Sequence, residues 1–157
     1  MREHRLDLTF YGRSETLTIP AEHGEFGRFL DSVKQLAAGE KGVAAFYMFS
    51  PSNSVGLLIS VGDVQTAHAV IGGDGYFGDI LADRDVALFL RGRTAPLLLR
   101  LPPQGPLGDM LQGLADSPYG DALPGCVMLA DDQNNPVFFR LDEVQYAVYR
   151  SRVLTDR

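Results

Sequence analysis

Gly72-Gly73-Asp74-Gly75-Tyr76-Phe77-Gly78-Asp79 lies in the middle of the stretch from Val43 to Leu90, with apolar runs on both sides. Upstream, Val43-Ala44-Ala45-Phe46-Tyr47-Met48-Phe49 is apolar on both faces and rich in aromatics, the composition of a central strand. Ser50-Pro51-Ser52-Asn53-Ser54 cannot continue it and reads as a loop. Leu57, Ile59 and Val61 then alternate with Gly56, Leu58 and Ser60, Gly62-Asp63 has the chemistry of a two-residue hairpin turn, and Val64 to Ile71 returns. Downstream of the glycines, Val86-Ala87-Leu88-Phe89-Leu90 is another buried strand, Gly92 turns the chain, and Leu97, Leu99 and Leu101 close a meander.

The flanks follow the same logic. Leu6, Leu8 and Phe10 alternate with Asp7, Thr9 and Tyr11, Gly12-Arg13-Ser14 supplies a turn, and Leu17 and Ile19 complete a hairpin. Phe26, Phe29, Leu30, Val33 and Ala37 recur at helical spacing and predict a core-facing helix, with Glu22 and Glu25 at its N-terminal end and Gly39 where it stops. Pro106 before Leu107, Met110, Leu111 and Leu114 predicts a short amphipathic helix that Ser117-Pro118 ends. Cys126 to Ala130 and Val137 to Arg140 read as paired strands around a turn. Asp142 and Gln145 have capping-box spacing, so 142–154 is expected to be a closing helix, with one long strand through Tyr149 as the rival reading. No internal repeat is expected. The fold expected is α+β: an antiparallel meander of about six to eight strands, covered by the N-terminal, mid-chain and C-terminal helices in a single domain spanning residues 1–157.

Composition narrows the function. The 157 residues are 45% hydrophobic and 22% charged, and the net charge of -6 disfavours nucleic acid, whose phosphates need clustered Lys and Arg. The lone cysteine, Cys126, excludes an intramolecular disulfide. Met1-Arg2-Glu3-His4-Arg5 leads into a strand pattern and not an apolar signal core, and no apolar run suits a bilayer, so a cytoplasmic location and no membrane partner are expected.

The chemical motifs are weak. Gly73-Asp74-Gly75-Tyr76-Phe77-Gly78 matches a dinucleotide fingerprint, but the next strand follows too soon for a crossover helix, and Asp74 and Asp79 would repel phosphate. Asp83-Arg84-Asp85 lacks the ligand series of a calcium loop. His4, His23 and His68 stand in no zinc spacing, and Cys126 among Val127, Met128 and Leu129 suits an inert thiol better than a nucleophile served by His68. A non-enzymatic protein with no cofactor and no metal is expected.

The hairpin, helix, meander, glycine-rich turn and acidity together resemble the small immunity proteins of bacterial toxin systems. The resemblance covers most of the chain as architecture and carries no diagnostic residue. It implies an inhibitor, monomer or homodimer, that occludes a basic toxin domain with an acidic surface. The contact surface expected is Asp74, Tyr76, Phe77, Asp79, Asp83 and Asp85. The alternatives are an acidic secretion chaperone or assembly adaptor, a small-ligand binding domain, or an orphan enzyme.

Overall fold

The computed structural model describes residues 4–72, 80–102, 107–109, 111 and 127–155. The glycine turn with Asp74, Tyr76, Phe77 and Asp79, together with Met110, Leu114 and Cys126, lies outside them. Strands dominate: β1 (His4–Phe10), β2 (Thr16–Ala21), β3 (Phe46–Phe49), β4 (Val55–Ser60), β5 (Val64–Ile71), β6 (Val86–Leu90), β7 (Leu97–Leu99), β8 (Val127–Ala130), β9 (Pro136–Phe139) and β10 (Val144–Arg150). The helices among the described residues are α1 (His23–Ala37) and the single turn α2 (Arg152–Thr155), with helical backbone also at 107–109 and 111. The strands form three sheets, ordered β2-β1-β5, β3-β4-β10-β6-β7 and β8-β9. The expected α+β architecture is therefore corrected to a mainly β fold, 45% strand against 21% helix, and not one meander under three helices.

Three local readings change with it. The segment expected as a closing helix is β10, the middle strand of the five-stranded sheet. Both its faces are buried, so β-branched and aromatic side chains on either side gain more from a sheet than Asp142 and Gln145 gain from a cap. Leu141–Glu143 forms a 3-10 turn instead, and Gln145 faces β1's turn. Val61–Asp63 is likewise a 3-10 turn and not a hairpin; it carries the chain from β4 in one sheet to β5 in another. β3 lies at an edge and not at the centre. The N-terminal hairpin and α1 form as expected, with Phe26 and Phe29 buried and Glu25 accepting the Glu22 N–H at 3.3 Å. Burying such a ring contributes roughly 1.5–3 kcal/mol.

The chain is also built twice, contrary to the expectation of no repeat. Leu6↔Ile19 and Leu8↔Leu17 in β1–β2 recur 80 residues on as Val86↔Leu99 and Leu88↔Leu97 in β6–β7. Leu8↔Ala67 in β1–β5 recurs as Leu88↔Ala147 in β6–β10, and even the slipped pair Phe10↔Val64 recurs as Leu90↔Val144. Met48↔Leu58 in β3–β4 recurs as Met128↔Phe138 in β8–β9. Gly12 and Gly92 turn their hairpins at φ +77° and +76°, a conformation that glycine adopts without strain. Each half has its own core: Leu6, Leu8, Ile19, Phe26 and Phe29 in the first, Val86, Leu88, Leu99, Leu107 and Leu111 in the second.

The halves join one-sidedly. β4 of the first half pairs with β10 of the second, Leu58 opposite Ala147 and Ile59 opposite Tyr146. The reciprocal pairing, β9 with β5, is not among the pairings of the described residues. The sheet faces differ accordingly. Ala87, Phe89, Tyr146 and Val148 are buried against the first half's core, whereas the equivalent Asp7, Thr9, Thr66 and His68 are polar and half-buried or exposed.

Candidate functional site

At the junction of the halves the two Gly-Arg turns, Gly12-Arg13-Ser14 and Gly92-Arg93-Thr94, meet with Glu15 around a cleft of about 150 Å³. Beneath it lies a buried polar network. Asp63, 5% exposed, sits at the end of the first 3-10 turn and accepts Arg91 Nε at 2.7 Å, Arg91 Nη2 at 2.6 Å and the Ser60 hydroxyl at 2.6 Å. Gln145, on β10, donates to the Tyr11 carbonyl at 2.7 Å and accepts Arg13 Nε at 2.7 Å.

The Arg13 side chain is only 3% exposed; it donates to Glu15 and to the Leu90 carbonyl, both at 2.8 Å, and lies over the rings of Phe89 and Tyr146. Burial works upward on the Glu15 carboxyl, but its own backbone N–H and Arg13 outweigh it and hold the pKa below the ordinary value. Asp63 raises the pKa of Arg91. These groups satisfy one another, so the network acts as the clasp between the halves.

Of the expected acidic contact surface, Asp83 and Asp85 are among the described residues. Asp83 is exposed and pairs with Arg84 and Arg100. Asp85 is 8% exposed, accepting the Leu101 N–H at 2.7 Å and pairing with Arg152, so its carboxylate serves the fold. Asp74, Tyr76, Phe77 and Asp79 lie outside the described residues. His68 is exposed on β5, in register with Asp7. No group of three or more His, Cys, Asp or Glu among the described residues could hold a metal, and no helix among them is long and apolar enough to cross a membrane.

Sequence reasoning missed a different surface, the outward side of the β8–β9 hairpin. Val127, Leu129 and Phe139 point into the second core, while the cross-strand partners Met128 and Phe138 stand 71% and 54% exposed. The alternation in Val127-Met128-Leu129 and Val137-Phe138-Phe139 carried this signal, because an outward position in a two-stranded hairpin ordinarily takes a polar residue.

The turn beside the pair is acidic and well ordered by its own bonds. Asp131 Oδ1 accepts the N–H groups of Gln133 at 3.0 Å and Asn135 at 2.8 Å, and these bonds to the carboxylate hold its pKa low. The Asp132 N–H anchors the turn to the Arg100 carbonyl at 3.0 Å. No family model matches the chain, and neither a curated protein nor a solved structure matches it.

Proposed function

We propose that the chain is a non-enzymatic binding protein that inhibits a basic protein partner by covering it, in the manner of the immunity proteins of bacterial toxin systems. The observation that supports this reading is the exposed Met128–Phe138 pair beside the acidic turn at Asp131 and Asp132. Large apolar side chains with a charged rim are the ordinary make-up of an interface anchor. The net charge of -6 adds steering toward a basic partner. The contact surface proposed is thus the β8–β9 hairpin in place of a patch that includes Asp85.

The test is affinity capture from the native lysate, run in parallel with the wild type and Phe138→Asp. A basic protein held one-to-one by the wild type, inactive while bound and lost from the variant, is the expected result. Equal capture by both forms would remove this face from the reading. Capture of an unfolded segment by a constitutive dimer would assign the chain to the assembly adaptors instead.

A further inference from the structure

We infer that the outward side of β9, with the edge that no described strand pairs with, forms a strand-addition site, taking one extended, apolar-faced β-strand of a partner protein with a basic end. This deepens the reading of the chain as a protein-binding module and rests on it.

The argument comes from the one-sided joint between the halves. In the first half, Leu58 and Met48 are cross-strand partners on the β3–β4 hairpin, and β10 lies along β4 with Ala147 opposite Leu58. Leu58 is completely buried there, and Met48 packs against the same core. Eighty residues on, Phe138 and Met128 occupy the same positions on β8–β9, yet both stand exposed and β9 pairs only with β8 among the described residues. Among the described residues, one joint is thus filled by the chain's own strand, while the equivalent hairpin side carries two exposed apolar side chains.

The chain's own first half is a poor occupant. The filled joint works because the sheet that supplies β10 carries Ala87, Phe89, Tyr146 and Val148 on the face it turns to the neighbouring core. The equivalent face of the sheet holding β5 carries Asp7, Thr9, Thr66 and His68, with Thr9 and Thr66 hydrogen-bonded to each other. Burying that face against apolar side chains would leave a carboxylate and an imidazole desolvated. A second copy joining head to tail is disfavoured for this reason, as a polar capping face ends a repeat array.

Charge selects one flank of the occupant. No charged residue lies on β8 or β9; Asp131 and Asp132 stand at the turn end of the hairpin, while at the other end Arg140 follows β9 and pairs with Asp142, and Glu143 pairs with Arg91. A strand with an apolar centre and a basic end beside Asp131 and Asp132 complements that pattern. β9 is short and begins with Pro136, which has no N–H, so main-chain pairing is limited and contact with the exposed Phe138 side chain supplies most of the binding energy.

The probe is a synthetic peptide copying Val144–Arg150 with lysines added at both ends, titrated into the full-length protein and followed by fluorescence anisotropy and by amide shifts in NMR. The expected result is saturable binding with shifts centred on β8 and β9. Affinity should fall roughly tenfold or more in Phe138→Asp and stay unchanged in Ile71→Asp, which alters an exposed apolar residue of β5. Because Phe138 is exposed, Phe138→Asp should retain the wild-type thermal midpoint, which separates lost binding from lost folding.

Absence of binding, or equal affinity in Phe138→Asp, would overturn the inference. So would concentration-dependent dimerisation in sedimentation that Phe138→Asp abolishes, since the occupant would then be a second copy. Capture of a basic lysate protein is a separate readout. The general reading survives if capture depends on Phe138 while the peptide fails to bind, and it falls if no basic partner is captured whatever the peptide does.

Discussion

Arg91 grips Asp63 with both ends of its guanidinium, Nε to Oδ1 at 2.7 Å and Nη2 to Oδ2 at 2.6 Å, and so ties the second half's first hairpin to the first half's 3-10 turn. The Asp63 side chain is buried and Arg91 is half exposed. Water therefore screens part of the pair, but the carboxylate depends on its partners.

Asp63→Ala should cost roughly 2–4 kcal/mol, because it strips Arg91, Ser60 and Gln145 of an acceptor inside the junction. Arg91→Ala should cost a similar amount, and the double variant less than the sum by about 1 kcal/mol or more. Urea denaturation of the four proteins measures this. Strict additivity would mean the two groups do not act as a clasp.

Gly56 lies opposite Tyr149 in the β4–β10 pairing, and a Cβ placed there would collide with the tyrosine ring. The ring fills the space a side chain would take on this central strand. Gly56→Ala is expected to destabilise by about 1–3 kcal/mol, the usual range for overpacking. Combining it with Tyr149→Leu should recover part of that loss relative to Tyr149→Leu alone, readable as a shift in denaturation midpoint.

Arg13 and Arg93 occupy equivalent positions in the two turns and should respond unequally. Arg13→Ala removes donors to Gln145, Glu15 and the Leu90 carbonyl and uncovers Phe89 and Tyr146, a loss of roughly 3 kcal/mol. Arg13→Lys should restore less than half, since an ammonium cannot match a planar fork stacked on rings. Arg93 is exposed, and Arg93→Ala should stay within about 0.5 kcal/mol of wild type. Equal losses at the two sites would contradict the asymmetry of the junction.

The parts legible in the sequence were those with one dry face. Leu6, Leu8 and Phe10, or Phe26, Phe29 and Leu30, show their period because the opposite side meets water. β10 was misread because both its faces are buried, which erases the alternation and leaves the Asp142–Gln145 spacing as the loudest local signal. The separation of β4 from β5 was hidden for a related reason: Gly62-Asp63 has hairpin chemistry, and only the sheet partners reveal that the turn changes sheets.

The duplication left few identities, among them Gly12-Arg13 with Gly92-Arg93, Met48 with Met128, and Val64-Gln65 with Val144-Gln145. What the halves share is register, and register is a property of pairs that a single pass along the chain does not display. Asp85 reads in the sequence as a surface aspartate, and only the structure places its partners, the Leu101 N–H and Arg152, beside it.

The last expectation concerns alkaline pH. Burial pushes the phenols of Tyr146 and Tyr149 up to about 12 from an ordinary value near 10; the Glu15 carboxylate adds to the rise at Tyr146, and Arg13 opposes it. The folded chain therefore holds these protons more tightly than the unfolded chain does. The stability this contributes is complete below pH 10 and disappears as pH rises through 12, on the order of 2 kcal/mol for each ring. Denaturant midpoints should fall across that window while tyrosinate absorbance lags behind that of the unfolded chain. Tyr146→Phe and Tyr149→Phe should each flatten the fall by about half, because phenylalanine keeps the ring and has no proton to lose. A fall of unchanged steepness in both variants would place the alkaline sensitivity elsewhere in the protein.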